Sequence, residues 1–361
     1  MAVERDPDRA YQIRRLFRLG MSVEAATKAV DTDRVTLALL DHLLGGARKF
    51  SRAEAAARSG VDESIVLSIE RMAGIRDGQR YSETEIRQLS LFGRLLQVLP
   101  EQAFLEQIRG DIPMLRTMAM RTLGTMEQLV LRTAREQIPD PVQLAIRLDE
   151  VSRPLLDIST DLIGQSYRRV ILSLLTSDMV VRALRDDTET LDLAVGFVDV
   201  VGYTSLSGRI DPTGLVEVLN AFEHSCQSMA EEHPQVQLVK FLGDAGMFIS
   251  LDAGALARGL FWLVQEIQDD DQALGYAPIK GGMAAGPVLM RGGDYFGTPV
   301  NEAARLTDLA RRNSVLVSDA LKDHLDEGFK LRRIRPVRLH GIGMRRPYAL
   351  RDVPATETTG A

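Results

Sequence analysis

The sequence predicts an α-helical N-terminal domain followed by a domain of interleaved strands and helices, either α/β or α+β. Three observations carry this. The length, 361 residues, suits two domains, or three at most. Apolar residues recur at helical spacing through most of the first half. Near residue 186 the pattern changes to short β-rich runs separated by two helical stretches.

The elements follow in order. Residues 11–44 read as helix, with Ile13, Leu16 and Phe17, then Val35, Leu37, Leu39, Leu40, Leu43 and Leu44, until Gly45-Gly46 ends the stretch. Ser51 and Glu54 have capping-box spacing and open a short unit to Gly60. Longer helices are predicted at about 83–98, 101–137 and 141–176, punctuated by Pro100, Pro113, Pro139, Pro141 and Pro154. The 101–137 stretch is rich in Leu and Met, which suits an adaptable apolar pocket, an interface or plain core. Strands are predicted at Leu193–Val201, Val236–Phe241, Gly246–Leu251 and Ile279–Val288, with helices at about 212–232 and 253–269. The division is therefore a helical domain at 1–176, a connector at 177–190, a mixed domain at 191–353 and a frayed tail at 354–361.

Composition narrows the function. Apolar residues make up 45% and charged residues 26%, ordinary for a globular chain. The net charge of −6 divides into +2 for residues 1–185 and −8 for residues 186–361. An acidic second half gives no electrostatic case for nucleic acid. It suits phosphate handling only if carboxylates hold metal. Cys226 is the single cysteine, so no internal disulfide forms and a reducing, cytoplasmic setting is expected. The N-terminus is charged, without an apolar signal core, and no apolar run reaches the 18–20 residues of a membrane span. The five histidines lack zinc spacing, and P-loop, Rossmann and nucleophile-elbow motifs are missing.

Three segments carry candidate chemistry. In Val195-Gly-Phe-Val-Asp199-Val-Val-Gly202-Tyr-Thr204 a strand delivers Asp199 beside a glycine turn, which suits Mg²⁺ carrying phosphate. In Val239-Lys240-Phe-Leu-Gly243-Asp244-Ala-Gly246 two apolar strands meet at a hairpin signal. Asp244 comes beside Asp199 there if the two strands are neighbours. Lys240, in an otherwise apolar strand, must snorkel, pair or bind something. In Gly293-Asp294-Tyr-Phe-Gly297-Thr-Pro-Val-Asn301-Glu-Ala-Ala-Arg305, Asn301 and Arg305 share one helix face able to donate to phosphate oxygens. Each segment also has a purely structural reading, as a loop cap, a turn and a solvated helix face.

Together, in this order and spacing, the segments resemble the catalytic domain of class III nucleotidyl cyclases over about residues 190–353: F-x-D-x-x-G-x-T, K-x-x-G-D and D-Y-x-G-x-x-V-N-x-A-A-R. The resemblance implies an α+β, ferredoxin-like (βαββαβ) fold. It implies that Asp199 and Asp244 hold two divalent ions, Mg²⁺ or Mn²⁺, and that Lys240 and Asp294 read the purine. Asn301 would orient the ribose, and Arg305 would meet charge building on the α-phosphate. The implied reaction is ATP to 3′,5′-cyclic AMP and pyrophosphate. Lysine rather than an acidic residue at position 240 favours adenine over guanine. One chain carrying all six residues implies a homodimer with two shared sites.

The first half is open to two readings. Residues 51–95 resemble a helix-turn-helix, which would make the protein a nucleotide-sensing transcriptional regulator without turnover. Its recognition helix, 62–74, carries Asp62, Glu63 and Glu70 against Arg71, the wrong sign for DNA, and no nucleic-acid partner is expected. A helical module of this size also resembles the autoinhibitory domain of actinobacterial adenylyl cyclases without membrane spans. That likeness implies pH-responsive control and a fatty acid in the helical domain; the position of residues 177–190, between a helical domain and a dimeric catalytic domain, points to a switching connector there.

Overall fold

The computed structural model describes residues 7–75, 77–127, 131–186, 190–206, 208–269 and 277–354. The chain divides into two compact units, Met1–Ile171 and Leu172–Ala361. The expected tail lies outside the described residues from 355 onward, as do the first six residues.

The first unit is helical. The predicted stretch at 11–44 is three helices: α1 (Pro7–Arg18), α2 (Val23–Asp31) and α3 (Val35–Gly45). Gly20 and Asp33 adopt positive φ and break the run, a conformation the apolar spacing does not signal. Leu16, Met21, Ala26, Ala29, Val35 and Leu39 form their core, joined by Val142 and Ala145 of α9. The chain continues through α4 (Arg52–Ser59), α5 (Glu63–Ala73), α6 (Glu83–Leu96), α7 (Glu101–Met126), α8 (Arg132–Gln137) and α9 (Pro141–Leu175). The predicted capping box at α4 is formed, with the Ser51 N–H donating to Glu54 Oε2 at 2.7 Å. Pro100 caps α7 and Pro141 opens α9, as their fixed φ favours, but Pro113 and Pro154 lie inside helices. Each of those two gives up one backbone hydrogen bond.

The α4–α5 pair, turning at left-handed Gly60, has the helix-turn-helix outline. Glu70 nonetheless faces inward. It is 2% exposed, accepts from Arg52 Nε at 2.8 Å and pairs with the Tyr81 hydroxyl. The Leu- and Met-rich stretch of α7 divides: Leu105 and Ile108 pack partly buried against the core around Phe104. Phe104 is buried, whereas Met114, Met120 and Leu123 are exposed, as are Ile158, Leu162 and Leu172 along α9.

The second unit opens with α10 (Asp178–Asp186) and β1 (Thr190–Val200). It continues through α11 (Tyr203–Leu206), α12 (Pro212–Glu232), β2 (Gln237–Leu242), β3 (Ala245–Ser250), α13 (Ala253–Asp269) and β4 (Ile279–Arg291). Strands β2, β3, β1 and β4 stand in that order with every neighbouring pair antiparallel. With α12 between β1 and β2 and α13 between β3 and β4, this is the ferredoxin-like βαββαβ arrangement. Alternation along β1 sorts its side chains. Ala194, Val198 and Val200 join Phe222, Cys226 and Leu260 under α12 and α13. Leu191, Leu193, Val195 and Phe197 join Met247, Val288 and Ala303 on the opposite face. Asp199 has the parity of that second face.

After β4 come β5 (Asp294–Phe296), α14 (Thr298–Leu309), β6 (Val315–Val317), α15 (Asp319–Lys322), β7 (Lys330–Arg333), β8 (Val337–Leu339), β9 (Gly343–Arg345) and β10 (Tyr348–Asp352). β6 pairs parallel to β4, and β10 and β7 complete that side of the sheet. α14 lies directly on the strands. A Cβ at Gly282 of β4 would stand 2.7 Å from the Ala303 carbonyl oxygen and closer still to the Thr307 backbone nitrogen. Backbone cannot yield there, so Gly282→Ala should cost about 3 kcal/mol by overpacking. Urea unfolding of the full chain reads this, and an unchanged midpoint would refute the close approach.

Candidate active site

The β1–β3 pairing sets Asp199 against Ala245, one residue past the hairpin tip at Gly243-Asp244. The Val200 N–H donates to the Asp244 carbonyl at 3.1 Å. The neighbouring-strand condition is thereby met, and the Asp244 charge acts on the Asp199 carboxyl. Burial raises the Asp199 carboxyl above its ordinary range, and the Asp244 charge adds to this against the opposing pull of Lys280. Lys280, the cross-strand neighbour of Asp199, places Nζ 3.2 Å from Asp199 Oδ2 and reaches the Asp308 carbonyl at 3.5 Å. The sequence reading missed Lys280. The signal that marked Lys240, a lysine inside an otherwise apolar strand, was present at position 280 as well.

Lys240 pairs with Asp294, 54 residues away. Lys240 is on β2 at one edge of the βαββαβ unit, and Asp294 opens β5 beyond the end of β4. Their contact requires the β4–β5 hairpin to curl back across the sheet; β4 keeps its pairing with β1 through Gly286-Pro287, with Gly286 at a φ of 147°. Burial pushes the Asp294 carboxyl up, but Lys240 and the Tyr295 N–H, which donates to Oδ1 at 2.8 Å, outweigh it and hold the group low.

Asn301 and Arg305 lie on the outer face of α14. Both are exposed, and Arg305 Nη1 sits 3.2 Å from Asp308 Oδ2. The inner face turns Ala303, Leu306 and Thr307 toward the strands, with the Thr307 hydroxyl donating to the Ala303 carbonyl at 2.9 Å. Arg305 is tied to Asp308, whose carbonyl accepts from Lys280, the partner of Asp199. Among the described residues no hydrogen bond or ion pair joins them to Asp199, Asp244, Lys240 or Asp294.

Glu302 anchors α14 from the side. It is 7% exposed and lies 3.0 Å from Arg345 Nε of β9. Burial raises its carboxyl, and Arg345 limits the rise. The folded chain thus holds this proton more tightly than the unfolded chain. The resulting stability is complete below the ordinary carboxylate pKa and lost as pH climbs through the raised one. Arg345→Met should cost about 1 kcal/mol at pH 8 and little at pH 4, measured by urea unfolding at the two values. Equal losses at both would exclude the pairing.

No protein-family model matches the chain. Curated relatives do. An adenylate cyclase of Streptomyces coelicolor is 31% identical over 307 residues, covering 81% of this chain and 76% of the relative. The chain belongs to the class III adenylyl cyclases. A second adenylate cyclase, from Streptomyces griseus, is 30% identical over 81% of this cyclase and 72% of its own length. A pH-sensitive adenylate cyclase of Mycobacterium tuberculosis is 27% identical over 223 residues, 58% of this chain and 55% of the relative. In this cyclase no helix of the described residues is long and apolar enough to cross a membrane.

Proposed function

We propose that this adenylate cyclase converts ATP to 3′,5′-cyclic AMP and pyrophosphate at two equivalent sites, each shared between the copies of a homodimer. The observation that carries the reading is the outward face of α14. Asn301 and Arg305 are exposed on α14 and, among the described residues, bond to neither Asp199 nor Asp244, which supports a site completed by a second copy.

The donor set fits a divalent cation. Two carboxylates held together in a half-buried position repel one another, and Asp199 is raised for that reason as well as by burial. Hard oxygen donors of this kind suit Mg²⁺ or Mn²⁺, with phosphate oxygens completing the shell. When bound, such ions supply charge for the triphosphate and acidify the ribose 3′-hydroxyl. In the absence of a cation Lys280 holds Asp199. Lys240 and Asp294 present a donor and an acceptor at one place, the pattern that adenine N1 and the N6 amine require. Asn301 and Arg305 orient the ribose and meet charge on the α-phosphate. These groups are held before reaction, and such preorganised charge and positioning supply most of the barrier reduction.

The helical unit is read as a controller of the catalytic unit, with pH as its signal. The M. tuberculosis relative supports this by its description alone.

The deciding experiment is purified full-length chain with ATP or GTP and Mg²⁺ or Mn²⁺, followed for cyclic nucleotide across pH 5 to 8. Cyclic AMP in clear excess over cyclic GMP is expected. Lys240→Ala should raise KM for ATP about tenfold, the scale of one lost charged hydrogen bond. Equal use of GTP by the unaltered enzyme would overturn the adenine reading.

A further inference from the structure

We propose that Met179, on α10 just before β1, is a positioning residue that holds the purine-reading pair Lys240–Asp294 in place through Tyr295. The proposal rests on the assignment of that pair to the purine.

The contact chain is continuous. Met179 is 8% exposed and buried among Leu191, Leu193, Ile249, Val288 and Tyr295 on the α14 face of the sheet. Tyr295 is equally buried, and its hydroxyl donates to Met179 Sδ at 3.6 Å. A buried tyrosine hydroxyl normally finds an oxygen acceptor. Here a thioether, a weak acceptor, takes that place. At the other end of the same residue the Tyr295 N–H donates to Asp294 Oδ1 at 2.8 Å, and Asp294 Oδ2 takes Lys240. The methionine on α10 thus pins the ring whose backbone orients the purine-reading carboxylate.

Two further features make this link matter. β5 is three residues long and, among the described residues, pairs with β4 alone, so few backbone bonds fix Asp294. The buried Tyr295 ring is its anchor. α10 is itself loosely seated. A cleft of about 470 Å³ opens beside it, bounded by Ser177, Arg182, Gln235 and Asp252. Among the described side chains of α10, Met179 is buried, Val180 is half-buried and Val181 is 47% exposed, so Met179 contributes to docking the helix. Whatever shifts α10 therefore withdraws the sulfur from Tyr295 and loosens Asp294. α10 follows α9 with only Thr176 and Ser177 between, so the connector expected at 177–190 reaches the purine pocket directly.

The test is steady-state kinetics on the full chain carrying Met179→Leu, Met179→Ala or Tyr295→Phe, with Lys240→Ala alongside. Met179→Leu keeps the volume and removes the acceptor, so it carries the test should the alanine variant fold poorly. Met179→Ala should raise KM for ATP about three- to tenfold and lower the ATP-over-GTP preference, with kcat within about twofold. Met179→Leu and Tyr295→Phe should move the same two quantities less. Their double variant should be no worse than the more affected single one, because both remove one contact. A purely packing role would lower the unfolding midpoint and leave KM and nucleotide preference in place. That result in a folded variant overturns the proposal. If Lys240→Ala also leaves KM for ATP unchanged, the purine assignment itself fails. If Lys240→Ala raises KM and Met179→Ala does not, only the positioning role fails.

Discussion

Asp199→Asn should lower cyclic AMP formation about 10³-fold, the scale on which one preorganised charge at a transition-state site is worth. The substitution keeps the shape of the side chain and removes its charge. Asp199 is half-buried beside Asp244, so charge at this place costs stability when no cation is present. Asp199→Asn should therefore unfold at the same urea concentration as the unaltered chain without metal, or at a higher one. The unaltered chain should gain stability as Mn²⁺ is added, because ligand binding to the folded state alone raises its stability. Asp199→Asn should gain little. Retained activity would remove Asp199 from the chemistry. Lost activity with a full Mn²⁺ response would leave the aspartate catalytic and move the cation elsewhere.

Two inactive variants, Asp199→Ala and Asn301→Ala, should restore activity when their chains are mixed and allowed to exchange. Random pairing makes half the dimers mixed, and each mixed dimer holds one intact site of two. The expected activity is about a quarter of the unaltered enzyme. The residues lie on separate elements, β1 and α14, and neither substitution touches the buried side of α14. No recovery from folded, dimeric, exchanging chains would mean that each site is built within one chain.

The core of the catalytic unit was legible because its signals are local. Alternating apolar runs gave β1 through β4, and the Gly243-Asp244 tip gave the hairpin. Only the strand order had to be supplied to bring Asp244 to Asp199. The pairing of Lys240 with Asp294 was not readable from spacing, because it depends on how far the β4–β5 hairpin curls. The later strands escaped for a different reason. β5, β6, β8 and β9 have three residues each, too few for alternation to register. In the helical unit the spacing located helices well and their partners poorly. It gave no way to tell that Met120 and Leu123 face outward while Phe104 faces in.

The contact of α14 with Gly282 divides the site into a stiff part and a soft part. Where helix backbone rests on strand backbone, no side chain lies between to act as a spring. The helix bearing Asn301 and Arg305 moves with the sheet as one piece. The purine side hangs instead on side chains at the end of a three-residue strand. On the proposed assignment, the triphosphate end of the substrate meets fixed geometry, while recognition of the base is open to tuning by small changes around β5. The proposed regulation would then have, among the described residues, a compliant place to act at the base that leaves the phosphate chemistry undisturbed.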